Sequence, residues 1–326
     1  MENLLLEVKN LKTYFPIKRG FLRDLLEKKS TVYAIDDVTF GIRKGESFGL
    51  VGESGCGKTT LGRTLIRLVE PTAGEALFEG RRVFDMRPEE FRNLKKEFQM
   101  IFQDPFSSLN PRQAVRQIIA LPLKTHRIVD KAQVDNRVLD LIEKVGLQRD
   151  HLDRYPHQFS GGQRQRIGIA RALATHPKFI IADEPLSALD VSVHAQVLSL
   201  LERLKEEFHL TYLFISHDLN VVSYFSDRVA VMYLGKLVEL ASSSVLFKLP
   251  VHPYSKALMS AIVHVRSDVS RKRIALPGDI STPVDPPPGC RFFKRCYLDK
   301  KKICGETDPD WTEIEPGHFV ACHLYS

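Results

Sequence analysis

Residues 52–60 read Gly52-Glu53-Ser54-Gly55-Cys56-Gly57-Lys58-Thr59-Thr60 and fit G-x-x-x-x-G-K-[ST], the pattern of a phosphate-binding loop. The glycines let the backbone form a tight nest whose N–H groups wrap phosphate oxygens at the start of a helix. Lys58 is expected to reach the β- and γ-phosphates of a nucleotide, and the Thr59 hydroxyl to ligate Mg²⁺. The alternative is a chance glycine-rich turn.

The residues on either side of the loop argue against chance. Residues 47–51, Ser-Phe-Gly-Leu-Val, have the short apolar character of a buried strand. After the loop, Leu61, Leu65, Leu68 and Val69 share one face of a helix. A strand, a glycine-rich loop and a helix in this order indicate an α/β fold.

The composition is that of a soluble globular protein. The 326 residues are 43% hydrophobic and 27% charged, enough for a main domain and an appendage. No run approaches the roughly 20 apolar residues that cross a bilayer, and the N-terminus lacks a secretory layout. We therefore expect a cytoplasmic chain whose membrane role depends on partner subunits.

The formal net charge of +7 leaves three interpretations open. Basic clusters at residues 18–29, 266–273 and 291–302 are mixed with acidic or apolar residues, as on a solvated surface. Proximity to lipid headgroups or a membrane partner is the second interpretation, and nucleic-acid binding is the third.

Polar side chains follow three further strand-like runs. Gln103 follows residues 98–102, Asp183 and Glu184 follow residues 179–182, and His217 follows residues 212–216. Sheets of α/β proteins present ligands at the carboxyl ends of their strands. An acid at the end of a hydrophobic strand is the pattern that holds Mg²⁺ in P-loop NTPases, and Glu184 beside it can orient and deprotonate a water.

The remaining elements are predicted from periodicity and turn residues. Strands are expected at residues 6–8, 32–35, 38–42, 229–233 and 236–240, a hairpin at 75–84, and a helix near 253–263. Residues 112–172 are predicted to be mostly helical, with Val134, Val138, Ile142 and Val145 on one face. Within this region Ser160-Gly161-Gly162-Gln163 predicts a second anion-binding helix start capped by Ser160. Residues 283–289 hold four prolines and predict a linker.

Together these features resemble the ATPase subunits of ABC transporters, over essentially the whole chain. Six motifs match in order and spacing: Walker A at 52–60, the Q-loop at Gln103, the signature at Ser160–Gln163 (with Phe159 where leucine is usual), Walker B and its acid at Asp183 and Glu184, the D-loop at Ser187–Asp190, and the H-loop at His217.

The resemblance implies an architecture. We expect an α/β P-loop NTPase (RecA-like) core with an N-terminal antiparallel β subdomain, an inserted α-helical subdomain and a small cysteine-rich C-terminal extension. The implied boundaries are an ATPase domain at residues 1–250, with the helical subdomain at about 104–175, and an extension at 251–326.

The resemblance also implies a mechanism in which two ATPase subunits enclose two ATP molecules. The implied roles are ATP binding by Tyr14, Gln103 and residues 52–60, Mg²⁺ coordination by Thr59, Gln103 and Asp183, and catalysis by Glu184 as general base and His217 at the γ-phosphate. Ser160, Gly161, Gly162 and Gln163 would complete the partner's site, and Asp190 would link the two sites. Tyr14 or Tyr33 would stack on the base, or merely pack on the sheet.

Finer features resemble the oligopeptide/dipeptide importer subfamily: Tyr14-Phe15-Pro16 with the basic insertion at 18–29, residues 103–112, residues 252–258, and the cysteine-bearing tail. The insertion resembles that of the second, F-type ATPase subunit of such importers. The implied partners are a second ATPase subunit (a heterodimer), two transmembrane permease subunits and, indirectly, an extracytoplasmic substrate-binding protein. The implied location is the cytoplasmic face of a prokaryotic cell membrane.

Two other functional classes compete with a peptide importer. A soluble ABC ATPase that acts on nucleic acid or the ribosome commonly has two nucleotide domains or long inserts, whereas one set of motifs is present here. A catalytically dead regulatory partner is disfavoured by Glu184 and His217. The transported molecule stays open, since relatives are associated with peptides, glutathione, nickel and oligosaccharides.

Four cysteines, Cys290, Cys296, Cys304 and Cys322, lie in the last 37 residues with spacing C-x5-C-x7-C-x17-C. This spacing is too wide for a short zinc knuckle and matches neither ferredoxin pattern. Four thiols in a proline-rich segment with little apolar material favour a metal that supplies folding energy. Chemistry alone does not separate Zn²⁺ from iron–sulfur; the family resemblance implies a [4Fe–4S] cluster, and unligated thiols remain an alternative.

Overall fold

A computed structural model of the chain describes residues 3–17, 30–261, 273–278, 283–298 and 302–325. The predicted basic insertion at 18–29 lies outside the described residues, as do nearly all of the basic cluster at 266–273 and the last two residues of the helix predicted near 253–263.

The elements of the described residues follow one another in mixed order along the chain. The strands are β1 (Leu4–Pro16), β2 (Thr31–Arg43), β3 (Ser47–Val51), β4 (Ala73–Phe78), β5 (Arg81–Arg82), β6 (Phe98–Ile101), β7 (Phe179–Asp183), β8 (Thr211–Ile215), β9 (Arg228–Tyr233), β10 (Lys236–Ser242), β11 (Trp311–Glu315) and β12 (His318–Ala321). The α-helices are α1 (Lys58–Leu65), α2 (Pro88–Leu94), α3 (Val115–Thr125), α4 (Val134–Lys144), α5 (Gly161–Leu173), α6 (Val191–Phe208), α7 (Leu219–Phe225), α8 (Ser243–Lys248) and α9 (Pro253–Ser260).

The chain divides into two compact units. The first unit comprises residues 1–43, 48–84 and 216–326, and the second comprises residues 44–47 and 85–215.

In the first unit, an antiparallel sheet has the strand order β2-β1-β4-β5. The sequence prediction of two separate strands at 32–35 and 38–42 is wrong, because β2 runs unbroken through Asp36 and Asp37. Asp37 adopts a left-handed backbone conformation (φ 62°), and the opposing Asn10 does the same (φ 47°). The Asn10 side-chain amide donates to the Asp37 carboxylate over 3.1 Å. An irregularity in the pairing of β1 with β2 therefore stands where the sequence predicted a gap between two strands.

The predicted proline linker also proves to be partly ordered against β2. The Tyr33 backbone N–H donates to the Pro283 carbonyl over 2.8 Å, and the Asp285 N–H donates to the Thr31 carbonyl over 2.9 Å. Val284 forms a bridge with Val32. Residues 283–285 therefore cover the outer edge of β2.

The remaining strands of the first unit include neighbours in the order β11-β12-β10-β9-β3. β3 pairs in parallel with β9, Leu50 opposite Ala230, and all five of its residues are buried. The chain passes from β3 through the phosphate-binding loop into α1. This helix ends earlier than the apolar pattern predicts, because Arg67 takes a left-handed conformation (φ 53°) and leaves Leu68 57% exposed.

In the second unit, β8, β7 and β6 are parallel neighbours. β7 is buried along its whole length, with Ile101 of β6 and Phe214 of β8 flanking Ala182. Parallel strands end at a common edge, so Gln103 and Glu184 emerge side by side. Three α-helices, α3, α4 and α5, confirm the predicted helical region between β6 and β7, and the predicted apolar face of α4 is buried.

Candidate functional site

Two glycines of the phosphate-binding loop admit no side chain. A Cβ added to Gly52 (φ 155°) would lie 2.2 Å from the Met232 carbonyl oxygen. A Cβ added to Gly57 (φ 113°) would lie 2.1 Å from the Ala34 carbonyl oxygen. Both positions combine a backbone conformation that favours glycine with close approach of a neighbouring strand, so the loop geometry requires glycine at each.

Lys58 is folded over its own loop. The side chain is buried, and its ammonium donates to the carbonyl oxygens of Gly52 (2.7 Å) and Glu53 (3.0 Å). Thr59 and Thr60 lie in the first turn of α1, while Ser54 and Gly55 at the tip of the loop are exposed. Cys56 is buried beneath the loop, and this burial raises the pKa of its thiol. A fixed cation beside an exposed glycine-rich turn suits a polyanionic ligand.

Two residues from distant parts of the first unit also hold the loop. The Tyr254 hydroxyl accepts a hydrogen bond from the Glu53 backbone N–H over 2.9 Å. The Arg295 guanidinium donates to both carboxylate oxygens of Glu53, over 2.7 and 3.1 Å. Sequence reasoning missed both contacts: residues 252–258 indicated only a subfamily, and nothing around Arg295 pointed to a residue 242 positions earlier.

The two candidate base-stacking aromatics lie against each other. Tyr14 of β1 is paired with Tyr33 of β2, with ring centroids 4.4 Å apart. The Tyr14 hydroxyl donates to Asp36 over 2.6 Å, and partial burial together with this carboxylate raises the Tyr14 pKa. Which ring stacks on a base stays a prediction.

Asp36 gathers three partners at this aromatic pair. Besides Tyr14, its carboxylate pairs with Arg291 and lies 3.7 Å from the Lys236 ammonium. Burial opposes ionisation, but the Tyr14 and Arg291 hydrogen bonds and the Lys236 charge outweigh it and lower the Asp36 pKa. The Arg291 side chain is itself only 9% exposed.

The second unit brings Gln103 and the predicted acid together. The Gln103 amide donates to a carboxylate oxygen of Glu184 over 2.9 Å. Glu184 takes a left-handed backbone conformation (φ 46°), and its N–H donates to the Ile215 carbonyl over 2.9 Å. Asp183, one residue earlier, is 1% exposed. A non-glycine residue with a left-handed backbone, such as Glu184, is held in that conformation by its surroundings, as is common at functional sites.

The predicted helix start at Ser160 is confirmed as a capping box. The Ser160 hydroxyl accepts from the Gln163 N–H over 3.3 Å, and the Gln163 side chain accepts from the Ser160 N–H over 3.0 Å. A Cβ added to Gly162 would lie 2.6 Å from a methyl carbon of Val193. This glycine therefore packs α5 against the first turn of α6, where Asp190 is the residue that precedes the helix.

The predicted site residues are divided between the two units. The phosphate-binding loop, Tyr14 and His217 belong to the first unit, and the remaining predicted nucleotide residues belong to the second. His217 is exposed, just after Ser216 and before Asp218, whose side chain caps α7. Its role stays a prediction.

The four tail cysteines line one small cavity of about 30 Å³, with two histidines and apolar residues around them: Cys290, Cys296, Cys304, Cys322, His252, Pro253, Phe292, Phe293, Leu298, His323 and Leu324. Burial, followed by the neighbouring thiols, raises the Cys290 pKa to about 11. Within the described residues, no group of three or more His, Cys, Asp or Glu side chains is arranged to hold a metal ion. The predicted metal centre is therefore not confirmed and stays a prediction.

Comparison with known proteins places the chain in a family. Over its full length it is 52% identical to the oligopeptide transport ATP-binding protein AppF of Bacillus subtilis (strain 168), covering 98% of that protein. The chain belongs to the ABC transporter ATPase family. It is therefore an ATP-hydrolysing enzyme, and the resemblance seen in its six motifs is confirmed.

Other comparisons agree with this assignment. The family model described as ABC transporter matches residues 35–187, and that described as oligopeptide/dipeptide transporter, C-terminal region, matches residues 238–304. The oligopeptide transport ATP-binding protein OppF of Bacillus subtilis (strain 168) is 50% identical over 324 residues, 99% of this chain and 97% of OppF. The solved ATP-binding cassette MJ0796, bound to ADP and Pi, superposes with a TM-score of 0.64 at 27% identity, covering 73% of this chain and 98% of the cassette.

In the part of the chain that the structure describes, no helix is both long enough and apolar enough to span a membrane.

Proposed function

We propose that this chain is the ATPase subunit that drives uptake of oligopeptides or dipeptides through a membrane ABC importer. One observation carries the proposal: the similarity to AppF extends over the whole chain, including the tail beyond the nucleotide motifs. The match of residues 238–304 to the C-terminal region of oligopeptide/dipeptide transporters supports the same substrate class.

The proposed binding roles follow from the loop geometry. Lys58 and the backbone N–H groups of residues 52–60 bind the nucleotide phosphates, since the loop admits no side chain at Gly52 or Gly57 and holds its lysine in place. Tyr14 supports the base, with Tyr33 as the alternative. From the family resemblance, Mg²⁺ coordination is assigned to Thr59, Gln103 and Asp183, whose side chains carry the oxygen donors that Mg²⁺ prefers; the ion would neutralise phosphate charge.

The proposed catalytic base is Glu184, which would accept a proton from the attacking water. Its hydrogen bond from Gln103 fixes the direction of the carboxylate, and its constrained backbone fixes the position. His217 is proposed to contact the γ-phosphate. Because phosphoryl transfer depends mainly on positioning and charge stabilisation, small displacements of these groups govern the rate.

The signature supplies the other half of a composite site. Ser160, Gly161, Gly162 and Gln163 would bind the nucleotide held by a second ATPase subunit, and Asp190 would link the two sites. We propose a heterodimer with that subunit, two transmembrane permease subunits, and indirect action of an extracytoplasmic substrate-binding protein. The chain would then lie peripherally on the cytoplasmic face of the membrane.

We further propose an ATPase domain at residues 1–250, with a helical subdomain at about 104–175, and a C-terminal extension at 251–326. The extension would carry a [4Fe–4S] cluster on its four cysteines, with Zn²⁺ as the alternative. What supports this proposal is the donor chemistry: four thiols line one largely apolar cavity, and sulfur ligands suit iron–sulfur and zinc centres.

Elemental analysis of anaerobically purified protein tests the metal proposal. About four iron atoms per chain, with the broad visible absorbance of an iron–sulfur centre, support the cluster. Stoichiometric zinc supports the alternative. Colourless protein without iron or zinc contradicts both, and a Cys304→Ser variant controls for adventitious metal.

Purification of the full chain from native membranes in mild detergent tests the main proposal. We expect two permease subunits and a second ATPase to co-purify, and ATP hydrolysis to rise when a peptide-loaded binding protein is added. Co-purification with nucleic acid and without permeases would overturn the proposal. Stimulation by an oligosaccharide or nickel binding protein instead of a peptide one would replace only the substrate class.

A further inference from the structure

Two arginines of the cysteine-bearing tail contact the candidate nucleotide residues of the first unit, one at the phosphate-binding loop and the other beside Tyr14, the proposed base contact. Arg295 immediately precedes Cys296, and Arg291 immediately follows Cys290. Arg295 pairs with Glu53 in the phosphate-binding loop, and Arg291 pairs with Asp36 beside Tyr14. All of these residues belong to the first unit.

The Arg295–Glu53 pair is geometrically well defined. Both carboxylate oxygens are engaged, and the side chains are 8% and 22% exposed. A bidentate arginine–carboxylate pair fixes orientation as well as charge. It also neutralises the one carboxylate within a loop that is expected to receive a triphosphate.

Neutralisation matters because Glu53 is covalently part of the phosphate-binding loop. An unpaired, half-buried carboxylate there would repel a polyanion and would compete for the Lys58 ammonium, which already lies 3.0 Å from the Glu53 carbonyl oxygen. The Glu53 backbone N–H is meanwhile held by Tyr254. Side chain and main chain of Glu53 are thus both fixed by residues far away in the sequence.

We propose that Arg295 is a positioning residue for nucleotide binding, which acts by holding the Glu53 carboxylate paired and turned toward the tail. Arg291 has the corresponding role at the base end, where it fixes Asp36 and, through it, the Tyr14 hydroxyl. The tail therefore sets the affinity of the site without touching the nucleotide. This inference rests on nucleotide binding at residues 52–60, as proposed above.

Isothermal titration of the purified full chain with MgATP and with tripolyphosphate separates the two ends. We expect Arg295→Met to weaken both ligands about tenfold, equivalent to about 1.4 kcal/mol. We expect Arg291→Met to weaken MgATP several-fold and to leave tripolyphosphate unchanged, because only the base end loses support. Lys302→Met is the matched control, a cation of the same tail whose exposed partner is Glu306.

A second substitution distinguishes positioning from general damage. If the unpaired carboxylate is the cause, Glu53→Gln in the Arg295→Met background should restore most of the lost affinity, since it removes the freed charge. Arg295→Lys, which keeps the charge but not the two-point contact, should lose less affinity than Arg295→Met. Thermal melts identify any variant that fails to fold, and Arg295→Lys then carries the test.

The outcomes are separable. Wild-type affinity in a folded Arg295→Met or Arg295→Lys variant overturns the inference, and so does a double variant no better than Arg295→Met. Failure of the wild-type chain to bind MgATP would instead overturn nucleotide binding at the loop itself.

Discussion

The substitution Glu184→Gln tests the assignment of the general base with little disturbance of structure. The backbone contacts of Glu184, from its N–H to Ile215 and from the Ser187 hydroxyl to its carbonyl, do not involve the side chain. A glutamine oxygen can still accept the Gln103 hydrogen bond, so this charge-assisted bond becomes a neutral one, at a cost of about 1 kcal/mol. We expect folding and MgATP affinity to be nearly unchanged.

Hydrolysis should respond far more strongly. Loss of general-base catalysis is expected to lower turnover about 10²–10⁴-fold, equivalent to about 2.7–5.5 kcal/mol of activation free energy. The assay is single-turnover phosphate release by the assembled transporter, with nucleotide affinity measured on the same preparation. Glu206→Gln, the same chemical change at an exposed position of α6, should leave turnover unchanged. Near-normal hydrolysis by the Glu184→Gln transporter would refute the assignment.

Three further predictions follow from other contacts. Lys58→Ala should weaken MgATP affinity at least about tenfold, because it removes the only cationic side chain of residues 52–60. Isothermal titration measures this affinity, and an unchanged value would contradict phosphate binding by Lys58. Ser160→Ala should lower the free energy of unfolding by about 1 kcal/mol, because it removes the α5 cap. Ser160→Asp should keep the cap but lose hydrolysis in the assembled transporter, since a carboxylate would face the phosphates held by the partner subunit. Equal thermal stability of the two variants would argue against capping. Burial lowers the pKa of His252 to about 4, so between pH 6.5 and pH 4 the unfolded chain binds a proton that the folded chain does not. The free energy of unfolding, measured in urea at pH 7 and at pH 4.5, should therefore fall by on the order of 2 kcal/mol more in the wild-type chain than in the His252→Asn variant. Equal losses in the two proteins would contradict this.

Local chemistry made much of this site predictable from sequence. The Ser160 cap and the strand-end location of Glu184 each depend on residues within a few positions of one another. Hydrophobic periodicity likewise located β3, β7 and α4. Such features need only short-range sterics, capping and burial.

The failures have equally specific causes. Asp36 and Asp37 have the composition of a turn, but tertiary pairing with Asn10 keeps them in one strand. The apolar pattern through Leu68 gave no sign that Arg67 would end the helix. Arg295 could not be assigned to Glu53 because the pairing depends on tertiary contacts, which a single sequence without strong local signals does not define.

The pairing of residues 283–285 with β2 has a consequence for shortened versions of this protein. A chain that stopped at residue 250 would keep every nucleotide motif, yet it would leave the Tyr33 N–H and the Thr31 carbonyl without their protein partners. An uncovered strand edge is a template for association with another chain. Such a fragment should self-associate, and its aggregation would be easily mistaken for a defect in ATP hydrolysis.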